Sequence, residues 1–113
     1  MMTIDNISCE IISGSKKYII DLFDEETKKG LLVNLPLGQY DKSTIVDAII
    51  RKKYSQDRVE AIINNHFLKI SDWISKKFNG ENVEFEDLEY EEFQAWRRDS
   101  KLYADMIIEA IKD

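Results

Sequence analysis

The chain has 113 residues, 43% of them hydrophobic and 34% charged, with a formal net charge of −6. That length fits one domain with one core and excludes two ordinary cores. Ample apolar material with charges of both signs excludes general disorder, and a single cysteine, Cys9, excludes an internal disulfide or a cysteine-based zinc site.

The opening residues, MMTIDNISCE, carry neither the basic nor the apolar segment of a secretory signal. No stretch approaches the ~18 apolar residues of a membrane span. The expected setting is therefore cytoplasmic, without membrane contact. Cys9 sits in a strand-like stretch, where a small buried hydrophobe is the expected role.

Residues 4–35 read as strands. IDNISCEII runs to Gly14, KYIIDLF is β-branched and aromatic, and LLVNL stops at Pro36, which cannot extend a central ladder. Short connections between the three runs point to an antiparallel meander. The doublets Ile11-Ile12, Ile19-Ile20 and Leu31-Leu32 break strict alternation, so both sheet faces carry apolar residues that helices or a partner could cover.

From residue 41 the apolar period becomes helical. Asp41 or Ser43 can cap a helix bearing Ile45, Val46, Ile49, Ile50 and Tyr54. Ser55 caps a second helix whose stripe runs through Val59, Ile62, Ile63, His66, Phe67, Ile70, Trp73, Ile74 and Phe78, with Gly80 as its stop. Phe93, Trp96, Tyr103, Ile107, Ala110 and Ile111 mark a third. Between the last two helices, Val83 and Phe85 alternate with Glu84 and Glu86 as a short edge strand or an extended loop. The expected architecture is α+β, a single domain over residues 1–113. A three-stranded meander (about 4–35) precedes three helices (about 42–54, 56–79 and 89–112) packed on the sheet.

The charge is unevenly placed. Glu81–Glu92 holds seven acidic and no basic residues; without it, 15 acidic face 16 basic side chains. A local field of this kind can orient a partner. It also has a structural reading: Glu89, Glu91 and Glu92 suit the dipole of the third helix, and Glu81, Glu84, Glu86 and Asp87 form a solvated, charged face. Arg97 and Arg98 have no acidic neighbour at helical spacing, and Lys101 has only Asp105. The two arginines are expected to fold back on another segment, with Glu84–Glu89 the natural acceptor, or else to face a partner. Trp96 is expected mainly in the core, although a Trp-Arg-Arg cluster is also the composition of an interface hot spot. The candidate interaction residues are thus Trp96, Arg97, Arg98, Lys101, Glu84, Glu86, Asp87 and Glu91.

His66 is the only histidine and lies on the apolar stripe, where a core-edge residue with one ring nitrogen hydrogen-bonded is expected. Its helical neighbours Ile62, Ile63, Lys69 and Ile70 offer no metal ligand. No phosphate-cradling glycine loop, nucleophile elbow, zinc-protease motif or calcium loop is present. No catalytic residue, metal, cofactor or small-molecule substrate is expected. The basic residues occur as scattered pairs in an acidic chain, which argues against nucleic acid as a partner.

The stretch YDKSTIVDAIIRKKYSQDRVEAIINNHF, with the later EEFQAWRRDSK, resembles small structural or accessory proteins encoded by phages and prophages of gut bacteria. The similar parts are the two helices joined at Lys53-Tyr54-Ser55 and the late helix with its Trp-Arg pair, roughly half the chain. The resemblance implies an accessory or assembly role in a virion or tail, exerted through protein contacts, and supplies no functional residues. Together these readings lead to an expected non-catalytic protein-interaction or assembly module that self-associates or docks a protein partner. The alternative is an acidic decoy that occupies a nucleic-acid-binding or regulatory protein.

Overall fold

In the computed structural model, which describes residues 1–112, three antiparallel strands precede three helices. The strands are β1 (Met2–Ile12), β2 (Ser15–Asp24) and β3 (Lys29–Asn34), in the order β1-β2-β3. Ser13 and Gly14 form the β1–β2 turn with φ of 51° and 82°; positive φ at both positions matches the right-handed twist of the strands. A register shift between Ile4 and Asn6 interrupts β1, the long outer edge.

Alternation along β2 sends Tyr18, Ile20 and Leu22 inward, where they meet Val33 and Leu35 from the third-strand segment. The helices are α1 (Lys42–Arg51), α2 (Gln56–Phe78) and α3 (Leu88–Ile111). Ile45 and Ile49 of α1, with Trp96, Tyr103, Ala104 and Ile107 of α3, close the core over the same sheet face. Asp41 caps α1 and Ser55 caps α2, their side chains accepting from the backbone N–H of Thr44 and Arg58. The Met2 N–H donates to the Tyr103 hydroxyl at 3.2 Å and ties β1 to α3.

The sequence did not convey where α2 goes. Only Ile62 of its 23 residues is buried, and Ile62 lies outside the main core cluster. Beyond His66 the helix runs past the start of α3 and projects from the body. The Cα radius of gyration is 18.5 Å and the longest extent 63 Å, against ~13 Å for a compact chain of this length. The accessible surface, 7719 Å², likewise exceeds the ~6,500 Å² expected of a compact monomer of this mass. A long arm with little covering it accounts for both differences.

Two smaller expectations are corrected. Cys9 is exposed, because it lies in the outer edge strand beyond the Met2–Ile7 end that packs against the core. Of the two readings for Val83–Phe85, the extended loop is the one found. No helix among the described residues is long and apolar enough to cross a membrane.

Candidate interaction surface

Asp87 is the hinge-point of the projecting helix. As N-cap of α3 it accepts from the Tyr90 N–H at 3.3 Å. Its other partners come from α2: Nδ1 of His66 lies 2.8 Å from Oδ2 and Nζ of Lys69 3.2 Å from Oδ1. Burial by itself would raise its pKa, but the hydrogen bonds from His66, Tyr90 and Lys69 outweigh it and hold the carboxyl below its ordinary 3.8. An ionised carboxylate only accepts, so the imidazole carries its hydrogen on Nδ1. The ring also stacks on Tyr90, with centroids 3.5 Å apart and planes within 10°.

The loop that returns from α2 to α3 straps one side of the arm. A Schellman turn begins it: Gly80 has φ 82°, the Gly80 N–H donates to the Lys77 carbonyl at 3.1 Å, and the Glu81 N–H donates to that of Lys76 at 3.0 Å. Trp73 Nε1–H then donates to the Val83 carbonyl at 3.0 Å, while Phe85 sits edge-on to both Trp73 and His66. Glu84 and Glu86 border the shallow notch this creates, beside Lys69 and Lys76.

Among the described residues, nothing covers the opposite side of the arm. Phe67 is 63% exposed, Leu68 68%, Ile74 54% and Phe78 91%. Side chains this apolar at this exposure are unusual when they adjoin one another on one element. Ile63 and Ile70, half-buried, link Phe67, Ile74 and Phe78 into a continuous seam, while Leu68 stands about 100° round the helix from Phe67. Between Ala61 and Phe78, at ~100° per residue, the exposed arc bears only uncharged side chains. The charged groups lie elsewhere on the helix. Lys69 is held by Asp87, Asp72 and Lys76 pair at 3.1 Å, and Lys77 borders the seam.

The Trp-Arg-Arg segment is built differently from its hot-spot reading. Trp96 is 6% exposed; its Nε1–H donates to the Ile49 carbonyl at the end of α1, and Lys53 Nζ stands 3.9 Å above its ring. Arg97 donates to Gln94 Oε1 at 3.2 Å and leans over Phe93. Arg98 and Lys101 are exposed, and Asp105 pairs with Lys42 instead of Lys101.

The expected fold-back of the arginines onto Glu84–Glu89 is not found. Among the described residues, Glu89 bonds Arg58 at 3.1 Å and Asp87 bonds His66 and Lys69. The α2 cations lie nearer, since α2 and α3 adjoin at that end while Arg97 and Arg98 sit farther along α3. Asp87 also departs from the solvated face expected of it, being 4% exposed. Glu84, Glu86 and Glu91 are exposed.

The exposed seam was missed because its residues were counted into a single core stripe. The signal was its width. From Ile62 to Phe78 the apolar arc spans about 160°, more than the ~100° stripe that suffices to face one core. Comparison with known proteins returns no matching family model, no matching curated protein and no matching solved structure.

Proposed function

We propose that the chain is a protein-interaction or assembly module in which α2 is the docking element. The observation that carries this reading is the uncharged apolar seam of Phe67, Ile74 and Phe78 on an arm projecting from an otherwise closed core. Exposing such a seam to water costs free energy in an isolated chain, and a partner that covers it recovers that cost. The hydrogen-bonded hinge at Asp87 and the strap at Trp73 and Phe85 support the same reading, because they fix the arm's direction before binding. An accessory role in a larger assembly, as the phage resemblance implies, is consistent with docking through one rigid arm.

The test is photocrosslinking in cells, with a photoreactive amino acid placed at Phe67 or Ile74 and, as control, at Glu109. Protein adducts formed from the two α2 positions and not from Glu109 support the reading. Absence of protein adducts from both α2 positions overturns it.

A second reading, the acidic decoy, rests on Glu84, Glu86 and Glu91, which are exposed and have no ion-pair partner among the described residues. It predicts salt-sensitive binding of a basic protein that is lost when the three are changed to Gln. Binding that persists at high salt or in the triple variant removes it. The seam is favoured because Asp87, the fourth proposed carboxylate, is consumed inside the fold.

A further inference from the structure

We infer that the partner of the α2 seam is a second copy of this chain, paired antiparallel through α2 about a two-fold axis near Ile70 and Ser71. The inference rests on the docking role proposed for α2 and specifies what docks there.

Three observations carry it. The first is spacing: Ile63, Phe67, Ile70 and Ile74 recur at intervals of four, three and four residues, the alternation that lets two helices interlock side chains, and Phe78 extends the row by one turn. The second is charge. A chain with net charge −6 repels its own copies over most of its surface, yet the seam between Ala61 and Phe78 is uncharged and meets its copy without electrostatic cost. The third is area. From their exposed fractions, Phe67, Ile74 and Phe78 offer about 400 Å² per chain, and so ~800 Å² across a pair, which the partly exposed Ile63 and Ile70 of the same row carry toward the ~1,000 Å² lower bound for a specific interface. That size fits a weak, reversible dimer better than a permanent one.

The antiparallel orientation follows from what lies along the row. Rotation about an axis between Ile70 and Ser71 sets Phe67 against the partner's Ile74 and Ile63 against the partner's Phe78, each ring meeting an aliphatic chain. A parallel pair would stack each side chain on its own copy and bring the two Lys76-Lys77 ends together. It would also align the two helix dipoles unfavourably.

Sedimentation equilibrium from low to high micromolar concentration measures the association. The expected result is a rise in average mass from 13.3 kDa toward twice that value. The double variant Phe67→Ser/Ile74→Ser, whose changes are at exposed positions, should remain monomeric with an unchanged circular dichroism spectrum. Orientation is read in a Cys9→Ser background: Ser71→Cys near the axis should form a disulfide-linked dimer on oxidation, and Asn64→Cys should not. A chain monomeric throughout overturns the self-pairing, as does a dimer insensitive to the double variant. Asn64→Cys crosslinking as readily as Ser71→Cys overturns the antiparallel arrangement. These failures are separable from failure of the docking role, since a monomeric chain whose α2 positions still photocrosslink to another protein retains α2 as a docking element.

Discussion

His66 on α2 and Asp87 at the head of α3 meet at 2.8 Å, and through this contact the projecting helix is fastened to the body of the protein. Asp87 joins three functions in one carboxylate: it caps α3, accepts from His66 and neutralises Lys69. Replacing it by Ala should destabilise the chain by about 2–4 kcal/mol, because a cap is lost and a buried hydrogen-bonded pair is broken. Asn keeps the cap and should cost about 1–2 kcal/mol less than Ala. Urea unfolding gives the totals. Hydrogen exchange should show the loss concentrated in residues 66–78, and uniform loss across β2 and α3 would refute the fastening role.

The same carboxylate sets an acid limit. Its pKa is depressed in the folded chain, so its contribution is fully present above the ordinary value of 3.8 and disappears as pH falls through the lower folded value. Stability of the wild type should therefore fall on acidification below pH 3.8 more steeply than that of Asp87→Asn. Equal slopes in urea titrations of the two proteins would remove Asp87 from the acid response.

Trp96 and Arg98 should separate cleanly. Trp96→Phe removes the hydrogen bond to the Ile49 carbonyl and should cost about 1–2 kcal/mol, while Trp96→Ala should cost about 3–5 kcal/mol by opening the core. Arg98→Ala, at an exposed position, should stay within about 0.5 kcal/mol of wild type. Thermal unfolding of the three variants decides it. A large loss from Arg98→Ala would point to a contact absent from this structure.

The β1–β2 turn offers a stabilising change. Ser13 adopts φ 51° beside Gly14 at 82°, and Asn tolerates that conformation better than Ser. Ser13→Asn should raise stability by a few tenths to about 1 kcal/mol. A lower melting temperature for this variant would contradict the turn geometry.

The proposed self-pairing through α2 would make thermal stability depend on concentration. The melting temperature of the wild type should rise across a hundredfold dilution series read toward high protein, while that of Phe67→Ser/Ile74→Ser stays flat, since association stabilises only the species that binds. Two flat series would speak against the dimer.

Much of this fold is local, and local features can be read in order along the chain. Pro36 ends the third strand run, Asp41 and Ser55 begin helices, and Gly80 ends one, because caps and turns depend on groups only a few residues apart. The buried ring of Trp96 followed from its place in an apolar row. The partners of the charges did not follow. Arg97 and Arg98 are next to the acidic run in sequence, yet Glu89 and Asp87 take theirs from α2, at Arg58, His66 and Lys69. Which cation reaches a carboxylate depends on how two helices lie together, and helical spacing within one of them carries no record of it.

The sequence by itself determined the main strands and helices, their order and most of their boundaries, since strand alternation, helical period and capping chemistry are set by short-range sterics and hydrogen bonds. Helix α1, expected to reach about residue 54, ends at Arg51. Only the tertiary structure decided which apolar residues are covered. Ile62 and Phe67 belong to one helical stripe, but α3 and the returning loop have apolar surface enough to cover only one side of α2. Hydrophobicity states that a side chain gains by leaving water; the packing of the remaining elements determines whether this chain alone can take it there. For Phe67, Ile74 and Phe78 it does not, and they stay exposed.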